Sequence, residues 1–151
     1  LAGDYFIVCT SSCGGSLSNT ISIGCGLSNN YSNYTFTGST TFSYNTIVLD
    51  GTIIIDGDAT LNLNNCDVFM TSGSEIIVKK RGSGQASGGT FQILNTKISS
   101  CGKWGGIYAE GWSNTEARTD SSAHVSISYS EIHDAYIGLF ADNSYSTLLL
   151  L

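Results

Sequence analysis

Apolar residues recur along this chain in a fixed rhythm. The stretches "TLNLNNCDVFM" from Thr60, "TFQILNTKISS" from Thr90 and "HVSISYSEIHD" from His124 carry them at matching points. The sets are Leu61, Leu63 and Val68; Phe91, Ile93 and Ile98; Val125, Ile127 and Ile132. Each set is spaced by two residues and then by five. A step of two is strand alternation, so Leu61 and Leu63 face one side while Asn62 and Asn64 face the other. A more diverged copy fits earlier, at Phe42, Tyr44 and Leu49. The copies then begin at Phe42, Leu61, Phe91 and Val125, with steps in the range that suits solenoid coils.

A further strand follows in each copy: Tyr34/Phe36, Ile53/Ile55, Ile76/Val78, Ile107/Ala109 and Leu139/Ala141. The gap from this strand to the next copy is short after Ile55 and long after Val78 and Ala109. A stacked array allows insertions at one corner, because a loop there leaves the stack undisturbed. No single coil can bury its inward face, but coils stacked at about 4.8 Å place each inward residue on its counterpart. Phe42, Leu61, Phe91, Val125 and Leu148 are expected to form one such column. Asn65 and Asn95 fall at one corner, where amides can hydrogen-bond along the stack, with Tyr129 in that place in the next coil.

The stretch "CGKWGGIYAEG" from Cys101 aligns with "MTSGSEIIVKK" and "DAYIGLFADN". Gly105 and Gly106 then lie at a corner that calls for left-handed backbone, with Trp104 shielding it. "KWGGIY", followed by "VSISYSEIHDAYIGLFADN" with Ile132, Ala135, Gly138 and Leu139 at set places, resembles the right-handed parallel β-helix family of pectate-lyase-like architecture. The likeness is to β-helical regions of large secreted bacterial surface proteins. It implies an all-β, right-handed parallel β-helix of about five coils, with three strands per coil, over residues 34–151. Residues 1–33 are expected to form an irregular N-terminal cap region of the same single domain. β-Helices host lyases, hydrolases, adhesins and structural fibres, so the resemblance speaks to fold more than to function.

Composition narrows the partners. The 151 residues include 18 Gly and no Pro, only 12% are charged, and the net charge is −6. Phosphate backbones need clustered Lys and Arg. The single cluster, Lys79-Lys80-Arg81, reads as a solvated loop, so no nucleic acid is expected. No apolar run is long enough to cross a bilayer, so no membrane span is expected. "LAGDYFIV" at the start lacks the pattern of a leader, and the final "TLLLL" reads as a strand in need of a neighbour. Of the five cysteines, Cys9, Cys13 and Cys25 crowd the N-terminal end of the chain. They are expected to staple the N-terminal region by a disulfide, with the connectivity open. "NYS" at Asn30 and "NYT" at Asn33 are glycan acceptors if the host glycosylates secreted proteins.

Candidate chemistry is sparse. Asp67, Lys97 and Glu131 fall on one outward row and read as a surface charge ladder. His133 stands two residues from Glu131 without a nucleophile, and Asp56-Gly57-Asp58 reads as a turn. No cofactor or metal site is expected, and no convergent catalytic set is apparent. Outward on the third strand stand Thr35, Ile54, Ile77, Tyr108 and Phe140. The last four form a candidate lateral contact face, unless the long corner loops cover them. Outward on the first strand stand Ser43, Asn62, Gln92 and Ser126, which lack the regular Thr ranks of an ice-binding solenoid.

The expected function is structural. It is an extracellular or cell-surface solenoid, a filament subunit or a stalk or adhesin module, pairing head to tail with copies of itself or with neighbouring coils of a longer chain. Leu148, Leu149, Leu150 and Leu151 would form the end-to-end interface. The alternative is a carbohydrate-binding or carbohydrate-active β-helix, lyase- or hydrolase-like, with Trp104, Tyr108 and Trp112 near the glycan.

Overall fold

The computed structural model of the chain describes residues 29–111, 122–142 and, as backbone, 147–150. These residues form strands and no helix. The first coil holds β1 (Asn29–Ser32), β2 (Thr35–Phe36) and β3 (Ser39–Ser43); the second holds β4 (Thr46–Asp50), β5 (Thr52–Ile55) and β6 (Thr60–Asn64). The third holds β7 (Asp67–Met70), β8 (Glu75–Val78) and β9 (Thr90–Leu94). The fourth holds β10 (Lys97–Ser100), β11 (Trp104–Ala109) and β12 (His124–Ser128). The fifth holds β13 (Glu131–Ile132), β14 (Ala135–Ala141) and β15 (Thr147–Leu150).

Each strand pairs in parallel with the strand three places on, which yields three five-stranded sheets. Sheet A is β1-β4-β7-β10-β13, sheet B is β2-β5-β8-β11-β14 and sheet C is β3-β6-β9-β12-β15. The chain is therefore a parallel β-helix of five three-stranded coils. The first of them already includes β1, so the coils begin before residue 34. The expected disulfide cysteines Cys9, Cys13 and Cys25 lie outside the described residues. Cys66 and Cys101 are free thiols, the first buried and the second exposed.

Alternation along the strands builds the core. Ile47, Val68, Ile98 and Ile132 stack in sheet A, and Ile53, Ile76 and Ile107 stack in sheet B. Leu61, Phe91, Val125 and Leu148 share one register column in sheet C, as expected. All the described side chains of these columns are buried except Ile132, which lies on the last coil and is partly buried. Each buried aliphatic contributes roughly 1.5–3 kcal/mol, so the columns supply most of the driving force.

One register differs from expectation. Phe42 pairs with Leu63 rather than Leu61, and Thr40 occupies the place over Leu61. The earliest copy therefore reads Thr40, Phe42 and Ile47, with the same spacing of two and five. Its step to the next copy is two residues longer than the apolar pattern implied. Thr40 is polar, so the apolar rhythm hid it and drew the alignment two residues along. The outward row of sheet C shifts likewise to Thr41, Asn62, Gln92 and Ser126. Within the first coil Tyr31, Tyr34, Phe36 and Phe42 pack ring to ring at 4.8–5.8 Å.

The three corners differ in kind. From sheet C to sheet A the turn is always two residues: Tyr44-Asn45, Asn65-Cys66, Asn95-Thr96 and Tyr129-Ser130. From sheet B to sheet C the connection ranges from two residues to residues 110–123, so this corner takes the insertions, as expected.

Candidate functional site

The two-residue corner is the most regular polar feature of the molecule. Its first residue is left-handed in all four copies, with φ of 57° at Tyr44, 54° at Asn65, 46° at Asn95 and 51° at Tyr129. Asn tolerates this conformation well; Tyr does not, and the strain is about 1–3 kcal/mol. The second residue turns inward and returns a hydrogen bond two residues back. Asn45, Cys66, Thr96 and Ser130 bond to the carbonyls of Ser43, Asn64, Leu94 and Ser128. Coils also take an oxygen from the next. The Cys66 N–H donates to Thr96 Oγ1 at 3.1 Å, and the Thr96 N–H donates to Ser130 Oγ at 3.0 Å. Asn95 Nδ2 donates to Asn65 Oδ1 at 2.6 Å, so the expected amide ladder forms across two coils.

A hollow opens along this corner. It is lined by Asn65, Cys66 and Asp67 of one coil, Asn95, Thr96 and Lys97 of the next, and Tyr129 and Glu131 of the one after. Register places Lys97 between Asp67 and Glu131, so the charge alternation holds as expected. Glu131 receives the His133 Nε2–H at 2.8 Å. That hydrogen bond, then the His133 charge, and more weakly Lys97, hold the Glu131 carboxyl below the usual range. Tyr44 and Tyr129 are 82% and 80% exposed. Among the described residues their phenols make no hydrogen bond and their rings stack on no other ring.

The third-strand face is also in place. Thr35, Ile54, Ile77, Tyr108 and Phe140 share one register row of sheet B. Ile54, Ile77 and Tyr108 are partly buried and Phe140 is 43% exposed. The Tyr108 and Phe140 rings stack at 5.1 Å and 21°. Tyr108 donates to Asp142 Oδ2 at 3.1 Å. Burial first, then that bond and the charges of Asp142 and Glu110, push its phenol above the ordinary value.

Trp104 lies inside. Its side chain is 0% exposed and its Nε1–H donates to the His133 carbonyl at 2.8 Å. The ring belongs to the core cluster and has no exposed face. Trp112 lies outside the described residues. Gly106, with φ of 110°, is the left-handed glycine; Gly105 has no such angle. Lys79 pairs with Glu110 at 2.6 Å, so the basic cluster is partly neutralised. Asp58, in the Asp-Gly-Asp turn, accepts the backbone N–H groups of Ala86 and Ser87 at 2.7–3.0 Å. These bonds hold its carboxyl below the usual range and fasten the 79–89 loop. No group of three metal-ligating side chains occurs among the described residues.

Asn30 and Asn33 are both exposed. Asn33 is also a corner residue at φ 45°, whose Oδ1 accepts the Thr52 N–H at 3.1 Å. Leu148, Leu149 and Leu150 lie in β15, in register with Val125, Ser126 and Ile127. Leu151 lies outside the described residues. The sequence reading missed Tyr44 and Tyr129 as surface features. It took Tyr44 as inward and Tyr129 as a gap in a ladder. The available signal was their position, since the repeat puts tyrosine at both ends of a row that carries asparagine in the middle.

No protein-family model, no curated protein and no solved structure matches this chain.

Proposed function

We propose that the chain is a structural β-solenoid of an extracellular or cell-surface assembly. In this reading it is a filament subunit, or a stalk or adhesin module, that stacks head to tail, and it belongs to the right-handed, pectate-lyase-like class. The observation that carries the proposal is the state of the last coil. Among the described residues β13 and β14 pair on one side only, against β10 and β11. Yet Ile132, Ala135 and Leu139 pack against the core while remaining partly buried. Strand edges with apolar residues behind them are suited to a further coil, from a second copy or from more of the same chain. Leu148, Leu149 and Leu150, in β15, belong to that end. The row Ile54, Ile77, Tyr108 and Phe140 supplies a lateral face for contact between neighbouring stacks. The right-handed class is supported by the near-universal handedness of crossovers between parallel strands. Secretion is supported by the sparse charge, the crowded N-terminal cysteines and the two exposed sequons.

Negative-stain electron microscopy of the purified chain across a concentration series, under oxidising conditions, tests this. Fibres with an axial repeat of about 25 Å, five coils at about 4.8 Å, are expected. Small monodisperse particles at every concentration would exclude head-to-tail self-assembly of this chain.

A further inference from the structure

The corner between sheets C and A carries a feature that a purely structural role does not use. Two of its four left-handed positions are tyrosines, at opposite ends of the row, and both rings stand in solvent. The two middle positions, which are asparagines, show that the turn itself does not require an aromatic ring. From Tyr44 to Tyr129 is three coil steps, about 14 Å at the strand spacing. Between them lie the amides of Asn65 and Asn95 and, one row over, Asp67, Lys97 and Glu131.

We propose that this corner is a binding site for a linear, uncharged oligosaccharide lying along the solenoid axis. A sugar ring presents an apolar C–H face and a rim of hydroxyls. Exposed aromatic rings suit the face, while amides and charged groups suit the rim, since together they donate and accept hydrogen bonds. A pyranose unit is about as long as one coil step, ~5 Å, so about four units span the row with their end rings over Tyr44 and Tyr129. The other ligand classes fit less well. Among the described residues Lys97 is the only cation lining the hollow, and it stands between two carboxylates, which opposes nucleic acids and acidic polysaccharides. The hollow is polar, which opposes an apolar helix. This site is separate from the stacking ends, so it stands whether or not the chain assembles.

The test uses the substitutions that the molecule already makes in its middle coils. Tyr44→Asn and Tyr129→Asn leave a residue suited to the left-handed turn, so the fold should be retained and circular dichroism checks it. The probes are cellohexaose, xylohexaose, laminarihexaose and chitohexaose, titrated calorimetrically to millimolar concentration, with oligogalacturonate as the acidic comparison. At least one neutral hexasaccharide should bind the unaltered chain, more tightly than oligogalacturonate does. Each single substitution should weaken it about tenfold, and the double variant should lose it. Phe140→Ala, on sheet B, should leave it unchanged. Binding that survives the double substitution, binding lost with Phe140→Ala instead, or the absence of binding by all four neutral probes would overturn the proposal. So would tighter binding of oligogalacturonate.

Discussion

At position 106 the backbone leaves room for glycine alone. Its φ is 110°, and a Cβ there would be driven into the Ile137 carbonyl oxygen of the next coil. The register of β11 and β14 slips just beyond it, between Gly106 and Ile107, so this is where the fifth coil takes its extra residue. Gly106→Ala is expected to lower stability by about 3 kcal/mol or more, read by denaturant unfolding. Two positions earlier, Trp104→Ala empties the largest fully buried side chain among the described residues and orphans the His133 carbonyl. A loss of about 3–5 kcal/mol is expected in the same experiment. Thr96→Val conserves shape but removes the oxygen that accepts the Cys66 N–H and bonds back to Leu94. Its expected loss is about 1–3 kcal/mol. A Thr96→Ser variant should recover most of that. These residues were legible in the sequence to different degrees. The glycine pair beside Trp104 marked a corner, but only the fold distinguishes Gly106 from Gly105. Thr96 gave no signal, because its work is done between coils whose contacting residues lie far apart along the chain.

The insertions at the sheet B to sheet C corner behave as elements in their own right. The 79–89 loop folds back so that the Gly89 N–H meets the Lys79 carbonyl, and Gln85 reaches the Gly57 carbonyl of the coil below. Asp58 fastens the middle of the loop through the Ala86 and Ser87 N–H groups. Its carboxyl titrates below the unfolded-chain value of about 3.9. The stabilisation is therefore fully present above that pH and fades as the pH falls through the lowered value. Asp50 follows the same rule, held down by the Thr71 and then the Ser32 hydroxyl. Relative to the intrinsic amide rate at each pH, hydrogen exchange at Ala86 and Ser87 should be strongly slowed at neutral pH, and this protection should be lost as the pH falls through the lowered value. Asp58→Ala should accelerate exchange at neutral pH, with little change in the core strands. At this scale the sequence was most informative. Strand alternation, repeated from Leu61 to Phe91 to Val125, was strong enough to place the register of the later coils. The earliest copy slipped by two residues because polar Thr40 stands where the later copies carry an apolar residue. The candidate site was less legible. Tyr44 and Tyr129 differ from Asn65 and Asn95 only in side chain, and what makes them notable is shared backbone conformation, which no single stretch of sequence displays.

The described residues form one continuous core wrapped by three parallel sheets, with hydrogen bonds directed from coil to coil. Because every strand pairs with the strand three places on, the bonds of all three sheets lie along the same axis. A pull on the two ends of the chain therefore loads them lengthwise and opens coils one after another rather than shearing all at once. The coils hold unequal lengths of chain, shortest from Thr40 to Leu61, slightly longer from Val125 to Leu148, longer again from Leu61 to Phe91 and longest from Phe91 to Val125. At about 3.4 Å per extended residue, opening these four steps, taken in chain order, should release roughly 70, 100, 115 and 80 Å. Single-molecule stretching should show a sawtooth of these uneven steps, and one all-or-none rupture would contradict it. A stalk built this way would act as a graded shock absorber, giving way by stages under tension and rewinding from whichever coils remain.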